Sequence, residues 1–412
     1  MLAPASAAVL QAYAERFDAV YSDGTHSVGS PLGAWLLLAL VAPEARGTER
    51  DQIEAALGAD VKEARRLAGA LLNTPHPAVA SALALWHRDE HLLPAFAEWM
   101  RTLPSATETG RVPTRAEADE WAHRTTGGLI AEFPLELDDT VAIVLADALA
   151  TSVEWRQAFE VVPATELGGT WSDRVERVLG TPPVGHEMLI ARTDRAGDVA
   201  VHAAESDDGL MVVSVIAEPT VAPVDVRAAT HDVATMLVLG SSSTATRSSL
   251  FDLPVGDGHA WTIVERQVAH DDEEEPAREV YRSYLPAWTA GSTHDLLGAG
   301  APLGFPVACR VLGAFVDPDG GPHAFDVTQV ATAAYHRRGF DAAAITEMLV
   351  SVGFSSPART VPQRAATMRF GRPYAVVAVA LDPDGGPWHA VPVFSAWVAE
   401  PSESFDDSAS GT

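Results

Sequence analysis

An α+β fold in a single domain is what this sequence predicts, on three observations. Helical periods come first, a mixed stretch follows, and strand-like runs dominate after residue 160. No βαβ alternation joins the two kinds of segment. No linker divides the 412 residues, and a hydrophobic content of 47% is ample for one buried core.

Residues 5–21 place Val9, Tyr13, Phe17 and Val20 on one helical stripe. The turn SDGTHSVGSP leads into an apolar helix over 31–42, and a third helix runs from Thr48 to Gly58, a good stop residue. The run VASALALW (79–86) alternates like a strand, and LPAFAEWMRTL (93–103) returns to helical spacing. Thr114 and Glu117 have the spacing of a capping box before AEADEWAHRTTGG, a helix ended by glycines. The long apolar run TVAIVLADALA (140–150) predicts a central strand covered on both faces. The clearest later strands are 208–219, 374–382 and 390–400, and the turn residues DPDGGPWH join the last two as a hairpin. The same DPDGGP recurs at 317–322 and reads as a turn, since the rest of a calcium loop is missing. Two segments read as polar surface loops: GSSSTATRSS (240–249) and the acidic DDEEEPAREV from Asp271. Composition makes residues 402–412 a disordered acidic and polar tail after a domain spanning 1–401.

The net charge is −28, from 28 basic and 56 acidic residues, and it argues against a nucleic-acid partner or an anionic membrane surface. Lys62 is the only lysine, a bias that suggests a GC-rich bacterial genome. The single cysteine, Cys309, reads as a buried, inert thiol. The N-terminal segment lacks a basic region followed by an apolar run, so no leader is expected and the default compartment is the cytoplasm. The apolar stretch Ala34–Pro43 is too short to span a bilayer.

Catalytic motifs are sparse. HRDEH (87–91) has the spacing of an inverted zinc-peptidase motif, with Glu90 as base, but it lies between a strand-like run and LLPAF rather than within a long helix. An exposed polar turn is the better reading. There is no nucleophile elbow, Walker loop or dinucleotide fingerprint, so neither an enzyme nor a cofactor is expected.

The stretch HRRGFDAAAITEMLVSVGF (336–354) fits two structures. Its propensities favour a helix capped by Asp341. Read with period two, it sets Phe340, Ala342, Ala344, Thr346, Met348 and Val350 on one mostly apolar side. Period alone leaves the choice open.

Several segments, in order and over most of the chain, resemble the serpins, a family of large, conformationally labile protease inhibitors. SVGSPLGAWLLLALVAPEARGTERDQIEAALG (27–58) looks like the family's opening helix pair, with its S-P-L and G-x-T-x-x-Q-I-x-x-x-L-G. Residues 118–160 are similar to the family's N-x-W-V-x-x-x-T-x-G-x-I segment and the strand after it. LPAWTAGSTHDLLGAGAPLG (285–304) and RFGRPYAVVAVALDPDGGPWHAVPVFSAWVAEP (369–401) resemble its P-x-F segment and its closing R-P-F strand pair. The likeness is weakest over 161–280. It implies a single-domain serpin fold: helices around a large central sheet, smaller sheets, and an exposed reactive-centre loop.

The resemblance also implies roles. GFDAAAIT aligns with the family's hinge, so Gly339, Phe340, Asp341, Ala342, Ala343, Ala344 and Thr346 would leave the body as a loop and, after cleavage, enter the central sheet as a strand. That resolves the ambiguity of 336–354 in favour of period two. Trp155 would mark the breach where insertion begins, and Ser30, Gly33, Asp147 and Gln329 the shutter beneath the sheet. Counting from Gly339 puts the scissile bond at Gly353–Phe354, and a shift of one residue puts it at Phe354–Ser355. Phe354 leads as specificity residue, which favours a chymotrypsin- or subtilisin-like target. Arg359 and Arg364, in what reads as a lengthened loop before Arg372–Pro373, allow a trypsin-like one. The expected function is a monomeric suicide inhibitor of a serine or cysteine endopeptidase, and the family resemblance allows an extracellular location. Three departures stand out. Phe340 replaces a Thr or Ser and would point inward on insertion; Arg337 and Arg338 replace an acidic pair; and Gly33, Asp147 and Gln329 stand where the family has Ser, Asn and His. The first favours the alternative, a non-inhibitory carrier or chaperone of the same fold, cleaved without trapping.

Overall fold

The computed structural model describes residues 3–88, 92–128, 130, 132–133, 142–151, 153–240, 243–270, 277–316, 327–338, 359–382 and 384–403. The first part runs α1 (Ala3–Val20), β1 (Ser27–Gly29), α2 (Pro31–Val41), α3 (Gly47–Leu57), α4 (Val61–Asn73), β2 (Ala80–His87), α5 (Pro94–Met100), β3 (Thr107–Arg111), α6 (Arg115–Thr125) and β4 (Ile143–Ala150). Strands then take over: β5 (Glu160–Pro163), β6 (Arg177–Gly180), β7 (His186–Thr193), β8 (Gly197–Glu205) and β9 (Leu210–Ile216). After α7 (Pro223–Leu239) come β10 (Thr246–Ser248), β11 (Gly256–Asp257), β12 (Trp261–His270), β13 (Arg278–Leu285) and β14 (Trp288–Asp295). The chain closes with α8 (Phe305–Gly313), β15 (Thr328–Tyr335), β16 (Arg359–Arg369), β17 (Tyr374–Ala380) and β18 (Val391–Val398). The fold is α+β, as the sequence predicts.

Local chemistry explains the helix ends. Ser30 caps α2 by accepting from the Gly33 N–H at 3.2 Å, and Pro31 follows at the first helical position. Gly58 stops α3 in the left-handed region at φ 73°. Thr114 and Glu117 form the expected capping box at α6. Every residue of α2 is buried, the outcome expected of a helix that is apolar all round.

Among the described residues, four sheets organise the strands. A seven-stranded sheet has the order β1-β18-β17-β9-β8-β7-β10, and a six-stranded sheet the order β11-β12-β16-β13-β6-β5. Two smaller sheets are β3-β2-β4 and β14-β15. One face of the seven-stranded sheet joins Val212, Val376 and Ala378 to the main core, which includes α2. The other sets Val213, Val215 and Val377 against Val226, Ala229 and Val233 of α7. A buried polar knot ties three elements together: Asp18 of α1 accepts from Arg227 of α7 at 3.0 Å, His231 of α7 at 2.8 Å and Ser395 of β18 at 2.5 Å. A charge buried this deeply is tolerated because each of its oxygens is bonded.

Several local expectations change. Part of the expected polar loop 240–249 forms β10, an edge strand on β7 with Arg247 opposite Ala191. The acidic segment becomes β13 from Arg278 onward. Ser402 bridges to Ala287, and Glu403 accepts from the Glu176 N–H, so the start of the expected tail is tied to the body. The apolar run at 143–150 is covered on both faces, by the core residues around Leu149 and by Trp121 and Phe133, but it is not central. Among the described residues β4 pairs only with β2. The turn expected at 317–322 lies outside the described residues.

Candidate functional site

The two smaller sheets face each other along one slot. Leu145–Ala148 of β4 line one lip and Thr328–Val330 of β15 the other, around a cavity of about 30 Å³. Among the described residues no ladder joins β4 to β15. Trp121, Ile130 and Phe133 cover the slot from one side and Leu37 of α2 from the other. Both lips run the same way. Beyond β4, the Trp155 N–H donates to Arg338 O at 3.0 Å, just past the end of β15. A segment leaving β15 at that end and folding back into the slot would run antiparallel to both lips, the arrangement in which a close reversal is possible.

The residues expected at the shutter do meet at the base of this slot. Gln329 grips the backbone of Ser30 twice: its Oε1 accepts from the Ser30 N–H at 2.9 Å and its Nε2 donates to the Ser30 carbonyl at 2.9 Å. The Ser30 hydroxyl donates to Val393 O at 3.0 Å while capping α2. One buried serine thus joins α2, β15 and β18. Asp147, on the opposite lip, points its carboxyl at Gly33. A Cβ at position 33 would stand 2.0 Å from Asp147 Oδ2, so the glycine makes room for the acid. Burial pushes the Asp147 carboxyl up to about 7. Gly33 contributes space rather than a polar group, and Asp147 does not join the Ser30–Gln329 pair.

Trp155, the residue expected at the breach, is 5% exposed. Its indole N–H donates to His336 O at 3.1 Å, and its ring packs on Tyr335 at 5.1 Å. Two further bonds close the mouth of the slot. The Phe159 N–H donates to Arg337 O at 2.8 Å, and Arg337 Nε donates back to Phe159 O at 3.2 Å. Phe159, which the sequence does not single out, rests on His186 and His202, with ring centroids at 4.5 Å and 5.4 Å. These two histidines also escape the sequence reading, because nothing local marks them; they meet only through the pairing of β7 with β8.

The hinge residues Gly339, Phe340, Asp341, Ala342, Ala343, Ala344 and Thr346, and the reactive-bond candidates Gly353, Phe354 and Ser355, lie outside the described residues. Arg359 is the first residue of β16, opposite His270. Arg364 lies within β16, where its side chain bonds Glu265 at 2.7 Å and the carbonyls of Leu250 and Leu253. The expected long loop before Arg372 is therefore strand from 359 onward, and the Arg364 side chain is tied to the body of the protein. Pro362 is accommodated because β13 begins to pair with β16 only at Gln363, leaving one side of the strand open there. His87 of the zinc-like motif closes β2 rather than opening a helix, and its ring packs on Phe96 at 5.2 Å. Asp89, Glu90 and His91 lie outside the described residues. Cys309 is buried in α8.

Comparison with known proteins fits this geometry. Residues 17–166 match the family described as serpin (serine protease inhibitor). No curated protein matches the chain in sequence. Among solved structures, the native state of tengpin, a thermophilic serpin, superposes with a TM-score of 0.64 at 14% identity, covering 95% of this chain and 93% of that one. Human glycosylated kallistatin gives 0.62 at 16% identity, with 98% of each chain covered. Thyroxine-binding globulin in complex with thyroxine gives 0.60 at 15% identity, covering 97% of this chain and 98% of that one. At such identities the likeness speaks for the fold. The chain has the fold of the serpins along nearly its whole length, and residues 17–166 match the serpin family in sequence.

Proposed function

We propose that this protein traps an endopeptidase by loop insertion. The protease cleaves the segment between β15 and β16, and the freed hinge from Gly339 enters the slot between β4 and β15 as a new strand. The observation that supports this reading best is the split sheet, with its two facing lips unpaired with each other and a polar shutter at its base. A strand filling the slot would make ladder bonds on both sides, each contributing about 0.5–1.5 kcal/mol net. Over the length of the lips that is a large downhill step. It would drag the attached protease and hold it as the acyl-enzyme. The inhibitor supplies no catalytic residue. Phe354 remains the leading specificity residue, so a chymotrypsin- or subtilisin-like enzyme is the favoured target.

Incubation with chymotrypsin, subtilisin, elastase and trypsin, read by denaturing gel and mass spectrometry, tests the reading. A covalent complex that survives denaturant, with the peptide released at Gly353–Phe354 or Phe354–Ser355, is expected. Clean cleavage with no complex for any of the four would count against it.

One observation favours a second reading, a non-inhibitory binding or chaperone-like protein. Arg337 is held to Phe159 through both backbone and side chain immediately before the hinge, and Phe340 follows. A bulky residue forced into a packed sheet costs about 1–3 kcal/mol. This reading expects cleavage without trapping, and a cleaved protein no more heat-stable than the intact one.

A further inference from the structure

Beneath the mouth of the slot, His186 Nδ1 and His202 Nε2 lie 2.9 Å apart. The bonds around them fix both tautomers. His186 Nε2 lies 2.8 Å from Gln157 O, and a carbonyl only accepts, so Nε2 carries the proton. His186 Nδ1 is then the acceptor and His202 Nε2–H the donor. That leaves His202 Nδ1 as a bare acceptor, fully buried and without a partner. Ser214 stands directly across the ladder from His202, and its buried hydroxyl also lacks a partner.

The chain of bonds leads from this buried end to the mouth. Gln157 lies between Trp155 and Phe159, whose N–H groups hold Arg338 O and Arg337 O at the exit of β15. We propose that the His186–His202 pair is a proton-sensitive latch: neutral, it holds the exit of β15 shut, and a proton entering it releases that exit. Added at His202 Nδ1, a proton finds no hydrogen-bond acceptor among the described residues. Added at His186 Nδ1, it sets two N–H groups head to head. Either way an imidazolium must sit among apolar rings, with Phe159 against both histidines and Tyr335 beyond it.

Among the described residues no counter-charge offsets it. On the neighbouring segments, Arg156 is paired with Glu205 and near Asp207, and Arg247 is paired with Glu187. Glu154 and Glu160 complete the charged groups of the 153–160 segment. From β15 and its exit come Tyr335, His336, Arg337 and Arg338, and from β17 Tyr374. No carboxylate among the described residues bonds either imidazole. Burial lowers both rings below the ordinary histidine range. A depressed histidine keeps its contribution in full above about pH 6.5 and loses it as the pH falls below that value. Acid, not base, opens the latch.

The latch does not depend on whether the chain traps a protease, so its test reads the mouth directly. Hydrogen exchange at the Trp155 and Phe159 amides would be followed in the intact protein at pH 7.5 and 5.5, expressed as protection factors, for the wild type and for His202→Gln and His186→Gln. The wild type is expected to lose protection at these amides by about tenfold or more at the lower pH, while β9 keeps its protection. Either glutamine variant should show no such pH dependence, and one folded variant is enough. Imidazole NMR of the wild type supplies a measurement free of substitutions: both rings must be neutral at pH 7.5 and titrate below the ordinary histidine range. Unchanged wild-type protection, a loss that persists in a folded variant, or a ring of the pair already protonated at pH 7.5 would each overturn the proposal.

Discussion

Gly33 and Asp147 are a matched pair, and the match has a pH signature. A carboxyl whose folded value is about 7, against an ordinary 3.8, keeps its proton in the folded state over that window while the unfolded chain has lost it. Stability therefore falls as pH rises from about 4 to 7 and levels off above. Asp147→Asn removes the titration and keeps the shape. Thermal unfolding should show a gain on the order of 2 kcal/mol at pH 8 and almost none at pH 4. A gain of equal size at both pH values would mean that packing, not charge, decides this position. The resemblance places an Asn here in the family, so the substitution is also the one the slot should accept most easily.

At the scale of elements, the hinge carries the sharpest expectation. Ala344→Arg should leave the native fold and its melting temperature unchanged but abolish formation of the covalent complex, since insertion would bury an unpaired guanidinium. Complex formation at the wild-type rate would exclude insertion of this segment. The elements themselves were unevenly legible in the sequence. Ser30-Pro31, Gly58 and the Thr114–Glu117 box announce helix ends through side-chain chemistry confined to a few neighbours, and such signals survive folding. The apolar run at 143–150 revealed its burial but not its place at a sheet edge, because edge or centre is set by partners far away in the chain. β10 and the start of β13 were hidden for the same reason: polar residues on an exposed edge look like loop. The resemblance suggested shutter and breach positions, but the contacts these residues make could not be read from the sequence. Trp155 and His336 are separated by 181 residues, and the histidine pair has no local mark at all.

For the molecule as a whole, a net charge of −28 is a uniform stress. Self-repulsion acts against the compact state and is screened over roughly 8–10 Å at ordinary ionic strength. The melting temperature of the intact protein should therefore rise steadily between low salt and 0.5 M sodium chloride, roughly as the screening length falls. A flat response would show that the acidic residues are already locally compensated.

The slot between β4 and β15 also changes what a melting curve means. Among the described residues β4 and β15 lie side by side without a ladder between them, and the insertion proposed above implies a lower-energy arrangement that the molecule has not taken. Its persistence is then a question of barrier height. Heated slowly, such a chain has time to find the other arrangement; heated quickly, it does not. The midpoint of its unfolding transition should move with scan rate, and its working lifetime is set by a rate constant rather than by a free-energy difference.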